Sequence, residues 1–458
     1  MKLIINEFMP ISQKCEIDLS KKFTIFVGKN NSGKTYVSQL IWAINNFSTF
    51  DNRYYSYQEG SKINFIKVLD KNEIKIRITE IKFKKILENF MKFIINKRLS
   101  EVFKYDIKGN VKIEFDYENF KMKDMKSSLS FKIRKVQFRL VKEKNSDKLE
   151  LIVDSTNAPD EDLLNFPLEI LNKIIEGKII ELLINKNAIY MPSTRLFLPS
   201  FYKYIYTIEK EFKDAMLGNI GQITNLNKKY FDSSYTQCVD DLISRLVFQV
   251  EKPNKNNVYL QELENLIEGN ISVDKAEVFD MVDLSYTHKD GQKLPMYLSS
   301  SMVNQLVTVY LYFKYWFKES GENFLLLDEP EMNLHPEKKI KLVETLLSFS
   351  SQNKLLVATH SSSVAKSIIN YIHLFDLQKK KDNGYIKKFI DENNLCMRTD
   401  IGLNSNDIGI YYFNGNSIIS YKENDVSNIH FGTFTDLERL QEKQYEFIMN
   451  ELENDSQY

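Results

Sequence analysis

Residues Phe23–Leu40 read FTIFVGKNNSGKTYVSQL, an apolar run that breaks into a turn with two glycines and a lysine, then resumes with apolar residues at helical spacing. The central octet GKNNSGKT, Gly28–Thr35, has the pattern G-x-x-x-x-G-K-[ST], with a strand before it and a helix after it, the context in which this pattern cradles phosphate. Gly28 and Gly33 let the backbone curl so that N–H groups along Asn30, Asn31 and Ser32 face a polyphosphate. The helix N-terminus adds the positive end of its dipole. Lys34 is placed to reach β- and γ-phosphates, and the Thr35 hydroxyl to ligate Mg²⁺.

Three further tracts fit that reading. FLLLDEP, Phe324–Pro330, is a buried strand ending in two carboxylates; Asp328 is the candidate holder of Mg²⁺ through its water shell, and Glu329 the candidate to orient or deprotonate an attacking water. KLLVATHS, Lys354–Ser361, sets His360 directly after another apolar strand, where it could donate to a terminal phosphate or to that water. LSSS, Leu298–Ser301, opens a helix, so Ser299, Ser300 and Ser301 offer hydroxyls and free N–H groups to an anion, or simply cap the helix.

The rest of the composition sets bounds. Of 458 residues, 43% are hydrophobic and only 15 are Gly and 9 Pro, which excludes fibrous and broadly disordered classes. Lys plus Arg equals Asp plus Glu at 62 each, so no global basic excess advertises nucleic acid. Cys15, Cys238 and Cys396 lie far apart, with neither metal-ligand spacing nor an even count, consistent with a reducing cytoplasm. The sequence shows no signal-peptide h-region and no long uncharged apolar stretch, so no membrane partner is expected and a cytoplasmic location is.

Along the chain, residues 1–27 alternate as short strands, and β-like runs follow from about residue 62, with one helix over Ile81–Phe103. Residues 162–185 read as helix and NAIYMPSTR, 187–195, as a strand ending at Pro192. Residues 196–270 are mostly helical in pattern and predict an inserted arm or lid. Apolar strands then alternate with helices, the signature of a buried parallel sheet. The tail gives two short strands, IGIYYFN and SIISYK, and a last acidic helix.

In this order and separation the four tracts resemble the ATP-binding-cassette (ABC-type) ATPases, nearest the branch of AAA proteins that contains RecF, the SMC proteins and the OLD ATPases. Some of these serve bacterial antiphage systems, the AriA-like and PtuA-like proteins among them. The resemblance covers roughly residues 1–50 and 270–370. GKNNSGKT looks like the Walker A motif, FLLLDEPEMNLHP like the Walker B with its D-loop, VATHS like the switch histidine and LSSSMVNQL like the signature. The tract EPEMNLHP, Glu329–Pro336, has the form usual in OLD and RecF relatives. Ser301 stands where the family's signature has glycine, and its Cβ restricts close approach of backbone to phosphate. Gln58 is a candidate for the family's Gln-bearing loop by position alone.

The resemblance implies an α/β ABC-ATPase head, with a mixed and parallel sheet, an antiparallel β subdomain and an inserted helical arm. Its segments would be 1–195 (Walker A and a β-rich insertion), 196–270 (arm), 271–375 (signature, Walker B, switch His) and 376–458 (extension). It implies ATP and Mg²⁺ as ligands. It also implies a homodimer or higher homo-oligomer in which Ser299–Ser301 of one head close the other head's nucleotide. No nuclease domain of the OLD kind is expected, since no Asp-x-Asp follows His360.

Three functions compete. The first is a sensor and regulator of an antiphage system that controls a separate effector protein in trans. The second is a RecF- or SMC-like ATPase of DNA maintenance. DNA would then meet residues 62–112, where fourteen Lys or Arg stand against six Asp or Glu; the same run also fits a solvated face. The third is a self-contained nuclease or toxin, for which the C-terminal hundred residues supply no carboxylate or His cluster of usable spacing. Arg195, after YMPST, reads equally as a buried structural residue or as one responsive to nucleotide.

Overall fold

The computed structural model describes residues 2–46, 75–106, 111–116, 127–133, 136–146, 148–154, 168–184, 188–199, 235–248, 253–254, 257–275, 282–319, 323–395, 397–421 and 442–445. In chain order the first elements are β1 (Lys2–Phe8), β2 (Cys15–Asp18), β3 (Phe23–Gly28), α1 (Lys34–Asn45), β4 (Lys75–Thr79) and α2 (Glu80–Phe93). A π-turn at Ile94–Arg98 leads into α3 (Leu99–Phe103). There follow β5 (Val111–Asp116), β6 (Ser127–Ile133), β7 (Val136–Lys142), β8 (Lys148–Asp154), α4 (Leu168–Ile184) and β9 (Ala188–Met191), which ends in a 3₁₀ turn, Ser193–Phe197. Next are α5 (Gln237–Phe248), α6 (Val258–Ile267), β10 (Gly269–Lys275), β11 (Val282–His288), β12 (Lys293–Pro295) and α7 (Ser301–Leu311). The last are β13 (Phe324–Asp328), α8 (Pro336–Ser350), β14 (Lys354–Thr359), α9 (Ser362–Gln378), α10 (Asn383–Glu392), β15 (Ile408–Asn414) and β16 (Ser417–Tyr421).

The organising element is a six-stranded sheet in the order β16-β15-β3-β14-β13-β9. From β15 to β9 every pairing is parallel, and only β16 runs antiparallel at the edge. Strands FTIFVG, FLLLD and AIYM are buried along their whole length, as a parallel sheet covered on both faces requires. Parallel pairing brings the C-terminal ends of β3, β14 and β13 to one edge, where the crevice beyond an open α/β sheet receives ligands. The phosphate loop, the acidic pair and His360 follow those three ends.

The fold is therefore α/β with a mixed sheet, and the antiparallel part is present as β4-β8-β7-β6, with β10-β11-β12 as a separate antiparallel sheet. Strand β5, expected within the meander, instead pairs with β1 in the sheet β2-β1-β5. Two segment expectations change. Residues 408–414 belong to the head, because β15 pairs with β3 from Ile408↔Phe23 to Phe413↔Gly28; IGIYYFN is a run buried through its first six residues. The described helices of the expected arm are also head elements: α5 buries Cys238, Leu242 and Leu246 beside β9 and α1, and α6 buries Leu263 and Leu266 between α7 and α8. The remainder of that arm, 200–234, lies outside the described residues, as do Gln58 and most of the last helix. Among the described residues no helix is long and apolar enough to cross a membrane.

Candidate functional site

The loop after β3 is shaped by what its glycines touch. A Cβ on Gly28 (φ +155°) would meet the Phe413 carbonyl oxygen at 2.3 Å, so the neighbouring strand β15 itself demands glycine there. Gly33 has φ +96°, and a Cβ would press on Pro10 at 3.0 Å. Asn31 takes the left-handed region at φ 60°, which Asn tolerates better than most residues. Ser32 donates its hydroxyl to the Lys29 carbonyl at 2.7 Å, and buried Lys34 donates to the carbonyls of Gly28 (2.8 Å) and Lys29 (2.6 Å). Asn30 and Asn31 are exposed on the loop's rim. No side chain caps α1, so its first N–H groups remain available to an anion.

Beside this loop stands the end of β13. Asp328 is 2% exposed and accepts hydrogen bonds on Oδ2 from the Thr35 hydroxyl and the Tyr190 hydroxyl, both at 2.7 Å, while its Oδ1 is buried with no partner. Burial raises its pKa against the hydrogen bonds, and pushes the Tyr190 hydroxyl far up as well. Lys34 is pulled the other way: burial lowers its pKa, opposed by the charges of Glu329, Asp328 and Glu331.

Glu329 has φ 47°, a left-handed backbone that costs about 1–3 kcal/mol for a residue of this kind. Its N–H donates to the Ala358 carbonyl at 2.7 Å. His360 Nδ1 lies 3.0 Å from Glu329 Oε1, at ion-pair distance but off the line of a hydrogen bond. The proximity holds the Glu329 carboxyl below its ordinary pKa and raises that of the His360 imidazole. Lys34, Thr35, Asp328, Glu329 and His360 are thus brought together from three strand ends.

The structure adds residues that carry no role in the sequence reading. Tyr190 is one, and Glu331 another: it is 3% exposed, accepts from the Thr359 hydroxyl, and leaves Oε2 buried without a partner. Thr359 in turn accepts from the Ser361 N–H at 2.9 Å, so this bond bracket straddles His360. The double acid of EPEMNLHP was the available signal. Arg195 is 0% exposed, and burial lowers its pKa to about 10. The serine tract does not join the pocket. Ser299 donates to Met296 O at 2.7 Å, Ser300 caps α7 by accepting from the Val303 N–H at 3.3 Å, and Ser300 and Ser301 are exposed.

The donor set fits Mg²⁺ and a polyphosphate. A hydroxyl and a carboxylate held 2.7 Å apart are hard oxygen ligands, and the unpartnered Asp328 Oδ1 is the kind of orphaned acceptor that an ion or its water satisfies. Among the described residues no group of three or more His, Cys, Asp or Glu forms a metal cage, and Mg²⁺ bound with nucleotide does not need one.

The protein family described as an AAA ATPase domain matches residues 1–365. No curated protein matches the sequence. Among solved structures the chain is similar to the Smc head domain with an extended coiled coil bound to the C-terminal domain of ScpA from Pyrococcus furiosus, at 12% identity, TM-score 0.35, and coverage of 96% of this chain and 98% of that one. It is likewise similar to the SMC head domain from Thermotoga maritima, at 11% identity, TM-score 0.30, and coverage of 92% and 98%.

Proposed function

The chain belongs to the AAA ATPase domain family, and on that premise we propose that it binds ATP with Mg²⁺ at Gly28–Thr35 and hydrolyses it. Lys34 and the N–H groups of the loop would neutralise the phosphates; Thr35 and Asp328 would hold the metal, which would supply positive charge to the phosphates. Glu329, kept ionised by His360 and Lys34, orients the attacking water and accepts its hydrogen bond. His360, beside Glu329, would donate to the terminal phosphate or to that water. The observation that carries this reading is the convergence of Thr35 on Asp328 at 2.7 Å with Glu329 on His360 at 3.0 Å, one residue further along.

The reading extends to paired heads. Tyr297 and Leu298 are 72% and 61% exposed immediately before Ser299–Ser301, an apolar, hydroxyl-bearing surface suited to a second copy across nucleotide. Size-exclusion chromatography with light scattering tests it: Glu329→Gln with ATP and Mg²⁺ should run at twice the monomer mass and Lys34→Ala at the monomer mass. A monomer in both sinks the pairing.

Hydrolysis by paired heads would control a separate effector in a defence system. The alternative, a DNA-maintenance ATPase, draws on residues 62–112. There, buried Arg98 lies 4.0 Å from Glu101, while Lys104 pairs with Asp240 at 2.9 Å and Lys112 with Glu7 at 3.1 Å. These contacts engage three of the fourteen basic residues internally and do not separate the two readings. A gel shift of duplex DNA at low salt that depends on ATP would favour DNA maintenance, and its absence the effector reading.

A further inference from the structure

A buried guanidinium usually faces a carboxylate, because taking its charge out of water is costly unless the charge is matched. Arg195 does otherwise. Its Nε donates to the Gln305 carbonyl at 3.1 Å, Nη1 to the carbonyls of Pro192 at 2.9 Å and Asp328 at 2.6 Å, and Nη2 to the Glu329 carbonyl at 3.1 Å. The charges of Glu331, Asp328 and Glu329 offset its burial through space. The fork thereby ties together the 3₁₀ turn, the end of β13 and helix α7. Gln305, itself fully buried, adds a second donor to the same carbonyl, Nε2 to Glu329 O at 3.3 Å.

The backbone of Glu329 is one that needs such restraint. Its left-handed φ of 47° is held by its own N–H on Ala358 and by those two donors on its carbonyl. Both donors reach it through α7, one as a side chain of that helix and one bonded to its backbone. The N-terminus of α7, about one turn before Gln305, carries the exposed Ser300 and Ser301. A shift of α7 along or about its axis is therefore transmitted to the peptide that aims the Glu329 carboxylate.

We propose that Arg195 and Gln305 are positioning residues that couple the serine-bearing helix α7 to Glu329, so that engagement of a second copy's nucleotide by Ser299–Ser301 aligns the carboxylate in this copy's own pocket. The proposal rests on the paired-head reading. Its regulatory consequence is that each pocket becomes fully competent only when the other is filled, which appears as positive cooperativity between the two nucleotides.

The test compares the full-length wild type with Arg195→Lys, which keeps the charge and loses the fork, and with Gln305→Met, which keeps the volume and removes one donor. Each is measured for binding of a fluorescent non-hydrolysable ATP analogue, for nucleotide-driven dimerisation by light scattering, for amide exchange over residues 329–333, and for hydrolysis. The expected result is affinity for the analogue at a single head within about twofold of wild type. With it come kcat lowered about 10–100-fold, a Hill coefficient for binding that falls toward about 1, and loss of nucleotide-induced protection at 329–333. Folded variants that dimerise with wild-type kcat, Hill coefficient and protection overturn the coupling alone. Absence of a nucleotide-driven dimer in the wild type overturns the paired-head reading and the cooperativity with it. The positioning of Glu329 is then decided on the single chain, supported by a kcat loss at unchanged affinity and overturned by an unchanged kcat.

Discussion

Thr35 Oγ1 donates to Asp328 Oδ2 at 2.7 Å, a bond between residues 293 positions apart that joins the phosphate loop to the end of a second parallel strand. Each group is a candidate oxygen ligand for the same cation, so loss of the carboxylate charge should act through the metal. Asp328→Asn is expected to lower nucleotide affinity in Mg²⁺ about tenfold or more and to leave the much weaker affinity in EDTA unchanged. Equilibrium binding of a fluorescent ATP analogue with and without Mg²⁺ checks this; equal losses in both conditions would point away from a metal role.

Gly28 is fixed by strand β15 as much as by phosphate. Because its Cβ would lie 2.3 Å from the Phe413 carbonyl oxygen, Gly28→Ala should destabilise the nucleotide-free protein by about 2–4 kcal/mol through backbone displacement and overpacking. A lowered urea midpoint without ligand is the expected reading. An unchanged midpoint with weakened nucleotide binding would assign the glycine to the ligand alone.

The match to the AAA ATPase domain family ends at residue 365, yet β15 lies beside β3 at residues 408–414. A chain ending at residue 400 would expose the edge of the strand that leads into the phosphate loop, and an unpaired buried strand invites aggregation. Such a truncation is expected to be insoluble or unable to bind nucleotide. A soluble, binding-competent 1–400 fragment would show that β15 is dispensable.

The Glu329–His360 pair sets a pH window. The imidazole pKa is raised above 6.5, so its stabilisation is complete below that value and is lost as pH rises through the folded value. The carboxyl pKa is lowered below 4.5, so its stabilisation is present above that value and is lost as pH falls through the folded value. The stability difference between wild type and Glu329→Gln should therefore be greatest between pH 4.5 and 6.5 and shrink on both sides. Proton NMR of His360 titrating at or below 6.5 would contradict the pairing.

Much of this is legible in the sequence. FTIFVG and FLLLD are apolar but for Thr24 and the terminal Asp328, near-continuous runs of the kind a doubly covered parallel strand carries; the residues that follow β3, β13 and β14 had to converge once the sheet was parallel. What the sequence hid was lateral order. IGIYYFN reads as a strand wherever it is placed, and nothing local says that it lies against Gly28. Helices α5 and α6 carry apolar stripes that fit an arm or a core equally well. Arg195 and Gln305 act on backbone carbonyls, which every residue possesses, so their partners leave no trace in the pattern. Glu331 sat in plain view within EPEMNLHP, but its burial beside Thr359 is a tertiary fact.

The most direct test of the hydrolytic site is Glu329→Gln, measured for ATP binding and for phosphate release on the same preparation. The account predicts nucleotide affinity within about twofold of wild type and phosphate release lowered at least about 100-fold. Release at the wild-type rate from a folded Glu329→Gln protein would contradict it.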